Sequence, residues 1–255
     1  MTEIKNNHKP LKPFYSRVGS KSRLLQYILP LIPDHKIYVE CFLGGGAVLF
    51  AKKPSDIEIV NDLDTQLIND YKLILDIKTK NFKKDLTTLE KQRNFFSKIP
   101  KTEADKITHA LLRHNNTFSS KEYKEGMKLY KHINPIKKLL KIDDYKARLK
   151  NVKFVNKNYI DVIKKFDSTE TFFYLDPPYE NTHKSFYKNS KFDFDELRDI
   201  LGNVKGYWML SINASDYIKD LFDGYIIKII KIKGTSQFIG GKDRTEYIIM
   251  NYVFD

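Results

Sequence analysis

One cysteine in 255 residues, Cys41, leaves no partner for an internal disulfide and no cysteine-based metal site, as in a reducing interior. Histidine is scarce as well. The six, His8, His35, His109, His114, His132 and His183, do not pair at metal-ligand spacing alongside cysteines or carboxylates, so no metal is expected. No apolar run approaches the roughly 20 residues that span a membrane. The opening Met1-Thr2-Glu3-Ile4-Lys5 lacks the apolar core of a signal peptide. A soluble, cytoplasmic protein is therefore expected. Tryptophan occurs once, and Trp208 sits inside an apolar run, which reads as a core position. There is no internal repeat or low-complexity tract, and the length suits one α/β core with an insert.

Positive charge is in surplus, at +13, and it is unevenly placed. Residues 1–71 hold 9 Lys and Arg against 8 Asp and Glu, and residues 151–255 hold 15 against 15. Residues 72–150 hold 21 against 9, so nearly all of the excess lies there. Abundant Lys, Asn and Ile suggest an A+T-rich genome, but such a bias would spread lysine along the whole chain. A concentrated block is the footprint of a phosphate-binding module. The block reads as helical. One helix follows Thr87-Thr88-Leu89 as far as Phe96, Pro100 breaks it, and Thr102-Glu103-Ala104-Asp105 starts another that runs to about Arg113. A polar loop from Asn115 to Ser120 follows. Arg113, Asn115, Asn116, Thr117, Phe118 and Ser119 are the candidate contacts, polar groups for base edges or phosphates and one ring to wedge or stack. A solvated loop between helices would use the same residues.

Asp176-Pro177-Pro178-Tyr179 follows Thr171-Phe172-Phe173-Tyr174-Leu175, an aromatic run that reads as a buried strand. This combination suits activation of an exocyclic amine on a flat ring. Such an amine is a poor nucleophile because its lone pair is delocalised. Accepting hydrogen bonds from both N–H groups favours a pyramidal, reactive nitrogen. The Asp176 carboxylate offers one acceptor and the Pro177 carbonyl another, in an arc stiffened by prolines that fix φ and donate no N–H. The Tyr179 ring offers a stacking platform for a base lifted out of a helix, and its face, more than its hydroxyl, is expected to matter. A plain proline turn after a strand is the alternative.

Ile37 to Phe42 reads as a second buried strand, running into Gly44-Gly45-Gly46 and a helix that opens at Ala47. Strand, glycine turn and helix bring a nucleotide-like ligand close to backbone. A third strand, Ile57 to Val60, ends at Asn61-Asp62, where a carboxylate would take ribose hydroxyls.

Taken together, these segments resemble the adenine-N6 DNA methyltransferases of the Dam type, the D12 class that uses S-adenosylmethionine. The matching pieces are Gly19-Ser20-Lys21, Val39 to Gly46, Asn61-Asp62-Leu63-Asp64, Asp176 to Tyr179 and Glu246 to Tyr252, in the family's order. The resemblance implies an α/β fold, a Rossmann-like methyltransferase core whose mostly parallel sheet carries a C-terminal antiparallel hairpin, with a helical insert. It implies S-adenosyl-L-methionine held by Lys21 near the methionine end, by Glu40, Phe42, Gly44 and Gly46 in the pocket, and by Asp62 at the ribose. Asn158 and Tyr159 would border the cofactor adenine, and Asp176 would face both cofactor and target amine. Where the family often has an aromatic residue, four positions before Lys21, this chain has Arg17, whose guanidinium can stack on a purine, or Tyr15 takes over. Cys41 replaces a favoured proline, which reads as a packing change.

The expected layout is a catalytic core of residues 1–71 and 151–255 around a basic DNA-recognition insert of 72–150. Tyr187, in a polar loop after the motif, and Lys242 and Arg244, between two C-terminal strands, are further candidate DNA contacts. The expected partner is double-stranded DNA, bound by a monomer, with neither metal nor membrane. A cognate restriction endonuclease is a second candidate partner. The Asp-Pro-Pro-Tyr segment would also serve cytosine N4 or adenine N6 in RNA, and an inactive binding module that keeps the fold is the non-enzymatic reading.

Overall fold

In the computed structural model, residues 9–17, 19–78, 82, 85–116, 133–179, 192–233 and 243–253 are described. The chain divides into two compact units, one of residues up to Pro30 with Gly44–Pro54 and Asp64–Phe154, the other of Leu31–Leu43, Ser55–Leu63 and residues from Val155 on.

The first unit is helical. A 3-10 turn, Lys21–Arg23, precedes α1 (Leu25–Ile28), α2 (Ala47–Ala51), α3 (Thr65–Asp76), α4 (Leu89–Phe96), α5 (Glu103–Asn116), α6 (Ile136–Leu139) and α7 (Ile142–Leu149). Polar caps set several starts. Asp64 accepts from the Leu67 N–H, Thr88 from Lys91, and Thr102 from Asp105, whose carboxylate accepts the Thr102 N–H in return. Phe14 and Tyr15 are fully buried and pack edge-on to Tyr145 and Tyr71, with ring centroids 4.7 and 5.0 Å apart. That packing groups the N-terminal segment with the insert, whereas charge and motif order had drawn a boundary at residue 72. The second helix of the insert also outruns its expected end. Asn115 and Asn116 lie in its last turn, and the Asn115 amide donates to the Leu111 carbonyl at 2.8 Å, which prolongs the helix into the expected loop.

The second unit carries the sheet. Its strands are β1 (Ile37–Glu40), β2 (Ile57–Asn61), β4 (Thr171–Leu175), β5 (Tyr207–Asn213), β6 (Ile226–Ile232) and β7 (Arg244–Met250), and β3 (Val152–Val155) leads into the unit along the chain. The seven strands run in the order β3-β2-β1-β4-β5-β7-β6. β1 is parallel to β2 and β4, and β4 to β5, while β7 is antiparallel to both β5 and β6. α8 (Tyr159–Phe166), α9 (Phe194–Leu201) and α10 (Asp216–Leu221) are capped by Asn158, Asp193 and Ser215. β4 is buried along its whole length, as its unbroken apolar sequence requires of a strand covered on both faces. Trp208 is a core residue, fully buried, with its indole N–H on the Leu201 carbonyl at 3.0 Å. Among the described residues, no helix is long and apolar enough to cross a membrane.

Candidate active site

Strand order places the chemistry. From β1 the sheet continues through β2 and β3 on one side and β4 and β5 on the other, so the winding reverses between β1 and β4. Ligands of open α/β sheets bind in the crevice beyond the carboxyl ends of the strands at such a reversal. Glu40 ends β1, Asp62 follows β2, and Asp176 follows β4. Three carboxylates therefore stand at the carboxyl ends of three adjacent parallel strands.

Glu40 is buried, and its Oε2 accepts the Tyr38 hydroxyl at 2.9 Å. Its register partner on β4 is Tyr174, whose hydroxyl lies 2.8 Å from the Ser211 Oγ. Burial first, and then the negative charge of Asp176, hold the Tyr174 phenol well above its ordinary range, so it stays neutral next to the motif. Burial and Glu40 likewise push the Cys41 thiol up, which makes it a packing group and not a nucleophile.

The end of β2 is clamped by Asn61. Its amide donates to the carbonyls of Cys41 and Lys157, each at 3.0 Å, and accepts the Lys157 N–H at 2.9 Å. The Asn156 amide holds the Asp62 carbonyl at 2.7 Å, so the backbone that carries the half-buried Asp62 side chain is fixed. Nearby, Phe42, Tyr159 and Phe192 form a three-ring cluster with centroid separations of 5.3, 5.5 and 5.7 Å. The Asn158 amide oxygen caps α8 and so fixes where Tyr159 begins the helix. Sequence reasoning singled out Tyr159 and Phe42 but missed Phe192 and the Asn61 clamp. The Asn61 clamp had a signal, a buried amide at the end of an apolar strand.

After β4, Asp176 is half-buried and Pro177 is buried, and the Tyr179 hydroxyl donates to Glu246 Oε1 at 2.7 Å. The hydroxyl, expected to matter less than the ring face, thus has a partner on β7. Arg244, at the start of β7, is exposed.

In the helical unit, Gly44 and Gly46 adopt φ of +48° and +65°, the left-handed region that favours glycine. Gly45 is required for a different reason, because a Cβ there would lie 2.9 Å from the Tyr15 carbonyl oxygen. Lys21 is buried in its 3-10 turn. Arg17 is paired with Asp64 at 2.8 Å. Tyr15 is fully buried, and its hydroxyl donates to the Asp70 carbonyl at 2.8 Å.

Two of the expected DNA contacts have partners within the helical unit. Arg113 is buried and pairs with Asp70, so its charge is used inside the unit. Asn115 accepts from the Ser16 N–H and the Lys138 ammonium while donating to Leu111, which leaves it tied to protein on both sides of its amide. The side chain of Asn116, and all of Thr117, Phe118, Ser119, Tyr187 and Lys242, lie outside the described residues.

A mostly parallel seven-stranded sheet with an antiparallel β7, acidic groups at the carboxyl ends and Asp-Pro-Pro-Tyr after β4 defines a Rossmann-like methyltransferase. The family is then settled by sequence: residues 18–238 match the D12 class N6 adenine-specific DNA methyltransferases, and the chain belongs to that family. Among curated proteins it is similar to the Type II methyltransferase M.MjaIII of Methanocaldococcus jannaschii, 26% identical over 95% of this chain and 99% of the relative. It is equally similar to M1.LlaDCHI of Lactococcus lactis subsp. cremoris, 26% identical over 99% of each chain. A third, M.CviBI of Paramecium bursaria Chlorella virus NC1A, is 23% identical over 95% of this chain and all of the relative. The family is that of adenine-specific DNA methyltransferases, which favours adenine N6 in DNA among the readings above.

Proposed function

We propose that Asp176-Pro177-Pro178-Tyr179 is the catalytic segment, acting on an adenine flipped out of duplex DNA with S-adenosylmethionine as donor. The observation that carries this reading is the place of Asp176, immediately past β4 where the strand order reverses, with Glu40 ending the neighbouring strand. The donor set fits the cofactor. Carboxylates suit a cationic sulfur and a ribose diol, and the Phe42, Tyr159 and Phe192 rings suit a purine. When bound, S-adenosylmethionine supplies a methyl group on that sulfur.

The chain's own residues do the rest. The Asp176 carboxylate accepts one N6–H and the Pro177 carbonyl the other, which localises the amine lone pair. Tyr179 stacks on the extruded base. In the sheet unit, Asp62 would hold the diol and Glu40 would line the cofactor pocket; in the helical unit, Gly44, Gly46, Lys21 and Arg17 are the candidate cofactor contacts. Preorganised acceptors and held geometry supply the rate, with no reorganisation at the moment of transfer.

The basic block of 72–150, with its charge of +12, is the DNA-recognition insert, and exposed Arg244 is a phosphate contact. The enzyme acts as a monomer on double-stranded DNA in the cytoplasm. A cognate restriction endonuclease is the partner suggested by relatives named as Type II methyltransferases. The test is digestion of treated duplex DNA to nucleosides. N6-methyladenine is expected as the modified base, and N4-methylcytosine would contradict the assignment.

A further inference from the structure

β7 carries a residue that an apolar strand has no structural need for. Ile248, Ile249 and Met250 are at most 1% exposed, as befits a strand paired on both sides, yet Glu246 in the same strand is only 3% exposed. In register, Glu246 stands opposite Asn213 of β5 and Ile230 of β6. Burying a carboxylate is unfavourable unless hydrogen bonds compensate. Oε1 has such a bond, from the Tyr179 hydroxyl at 2.7 Å, while Oε2 is buried with no hydrogen-bond partner among the described residues, as is Oδ1 of Asn213 across the ladder. A group kept for packing alone would be satisfied at both oxygens or replaced by an apolar side chain. Glu246 is neither, and its visible partner is the last residue of the catalytic segment.

The segment itself has no regular secondary structure, so β4 orders its start and the hydroxyl of Tyr179 ties its end to a second strand. Hydrogen bonds to a charged acceptor are short and directional. β7 is bonded on both sides, so the acceptor is fixed. We infer that Glu246 is a positioning residue: through the Tyr179 hydroxyl it sets the plane of the ring on which the extruded adenine stacks. The inference rests on the proposed role of residues 176–179.

The experiment is single-turnover methylation by the full-length enzyme carrying Tyr179→Phe, Glu246→Leu, Glu246→Gln, or Tyr179→Phe with Glu246→Leu. Matched duplexes and duplexes mismatched at the target are compared, and S-adenosylmethionine binding is measured separately. Tyr179→Phe and Glu246→Leu are each expected to slow transfer about tenfold, and the double variant no further, because all three remove the same interaction. Glu246→Gln keeps an acceptor oxygen and should stay near the wild-type rate. A mismatch lowers the cost of extrusion, so it should restore both slow variants, with cofactor affinity unchanged throughout. Multiplying losses in the double variant, or wild-type rates for Tyr179→Phe, overturn the inference. If Glu246→Leu does not fold, Tyr179→Phe with and without the mismatch decides alone. Asp176→Ala run alongside separates the two claims. Full activity there defeats the catalytic reading, whereas an inactive Asp176→Ala beside unaffected Tyr179→Phe defeats only the role of Glu246.

Discussion

Arg113 on α5 and Asp70 on α3 are paired inside the helical unit, with side chains 9% and 2% exposed. His114, the next residue, reaches the same carboxylate oxygen through Nε2 at 2.6 Å. A cation that sequence context offers to DNA is thus committed to a buried acid. Removing one partner of a buried pair typically costs about 3–5 kcal/mol. Arg113→Met should cost somewhat less, because His114 still donates to Asp70. Urea denaturation should report that destabilisation, while the salt dependence of DNA binding by the folded variant stays unchanged. A salt slope reduced by about one unit would return Arg113 to the DNA interface.

The same cluster sets a pH dependence. Burial raises the Asp70 pKa, but the His114 hydrogen bond and the Arg113 charge outweigh it and hold the carboxyl below its usual range. Burial lowers the His114 pKa against the pull of Asp70, so the ring is neutral at neutral pH, with its proton on Nε2 and Nδ1 buried without a hydrogen-bond partner among the described residues. Both shifts have the same sign in stability. As pH falls through about 6.5 the unfolded histidine takes a proton that the folded one refuses, and near 4 the unfolded aspartate does the same. Stability should therefore decline from neutral pH downwards. Urea midpoints measured across that range should fall, and His114→Gln should flatten the upper part of the decline.

Gly45 and Gly202 make a paired test of the glycine turn. A Cβ on Gly45 meets the Tyr15 backbone oxygen at 2.9 Å, and backbone cannot rotate away. Gly45→Ala should cost about 1–3 kcal/mol as an overpacking change. Gly202 has φ of −64° and its nearest contact would be 3.5 Å, so alanine there should be neutral or stabilising by up to about 1 kcal/mol. Thermal melts of the two variants should move in opposite directions or differ clearly in size.

The charge of the insert makes a prediction about every DNA sequence at once. Lys98, Lys101 and Lys106 are exposed in this block. Replacing them with glutamine should weaken binding to specific and nonspecific duplexes alike. The salt slope should flatten by about 0.9 for each phosphate that is no longer neutralised. An unchanged slope would place the DNA track elsewhere.

Local signals carried most of the fold. The apolar runs gave the strand Thr171 to Leu175 with both its ends, and those from Ile37 and Ile57 with their far ends shifted by two residues and one, while Thr88 and Thr102 marked helix starts because caps act within three residues. What stayed illegible was long-range. Nothing near Arg113 announces a partner 43 residues away, and nothing near Tyr179 announces Glu246 at a separation of 67. Asn115 read as a loop residue because its side chain prefers turns, yet back-bonding to Leu111 and contacts to Ser16 and Lys138 hold it in the helix. The packing of Phe14 on Tyr145 and of Tyr15 on Tyr71 was hidden for the same reason, since it joins segments far apart in the chain.

The proposed mechanism turns on Asp176 as an acceptor for the target amine at the reversal of strand order. Single-turnover methylation by folded Asp176→Ala tests it most directly. Removing a preorganised electrostatic group costs about 10²–10³ in rate, and more where one group serves two roles. Transfer reduced at least that far, with DNA binding retained, is the predicted result. A folded variant that keeps more than about a tenth of the wild-type rate would contradict the mechanism.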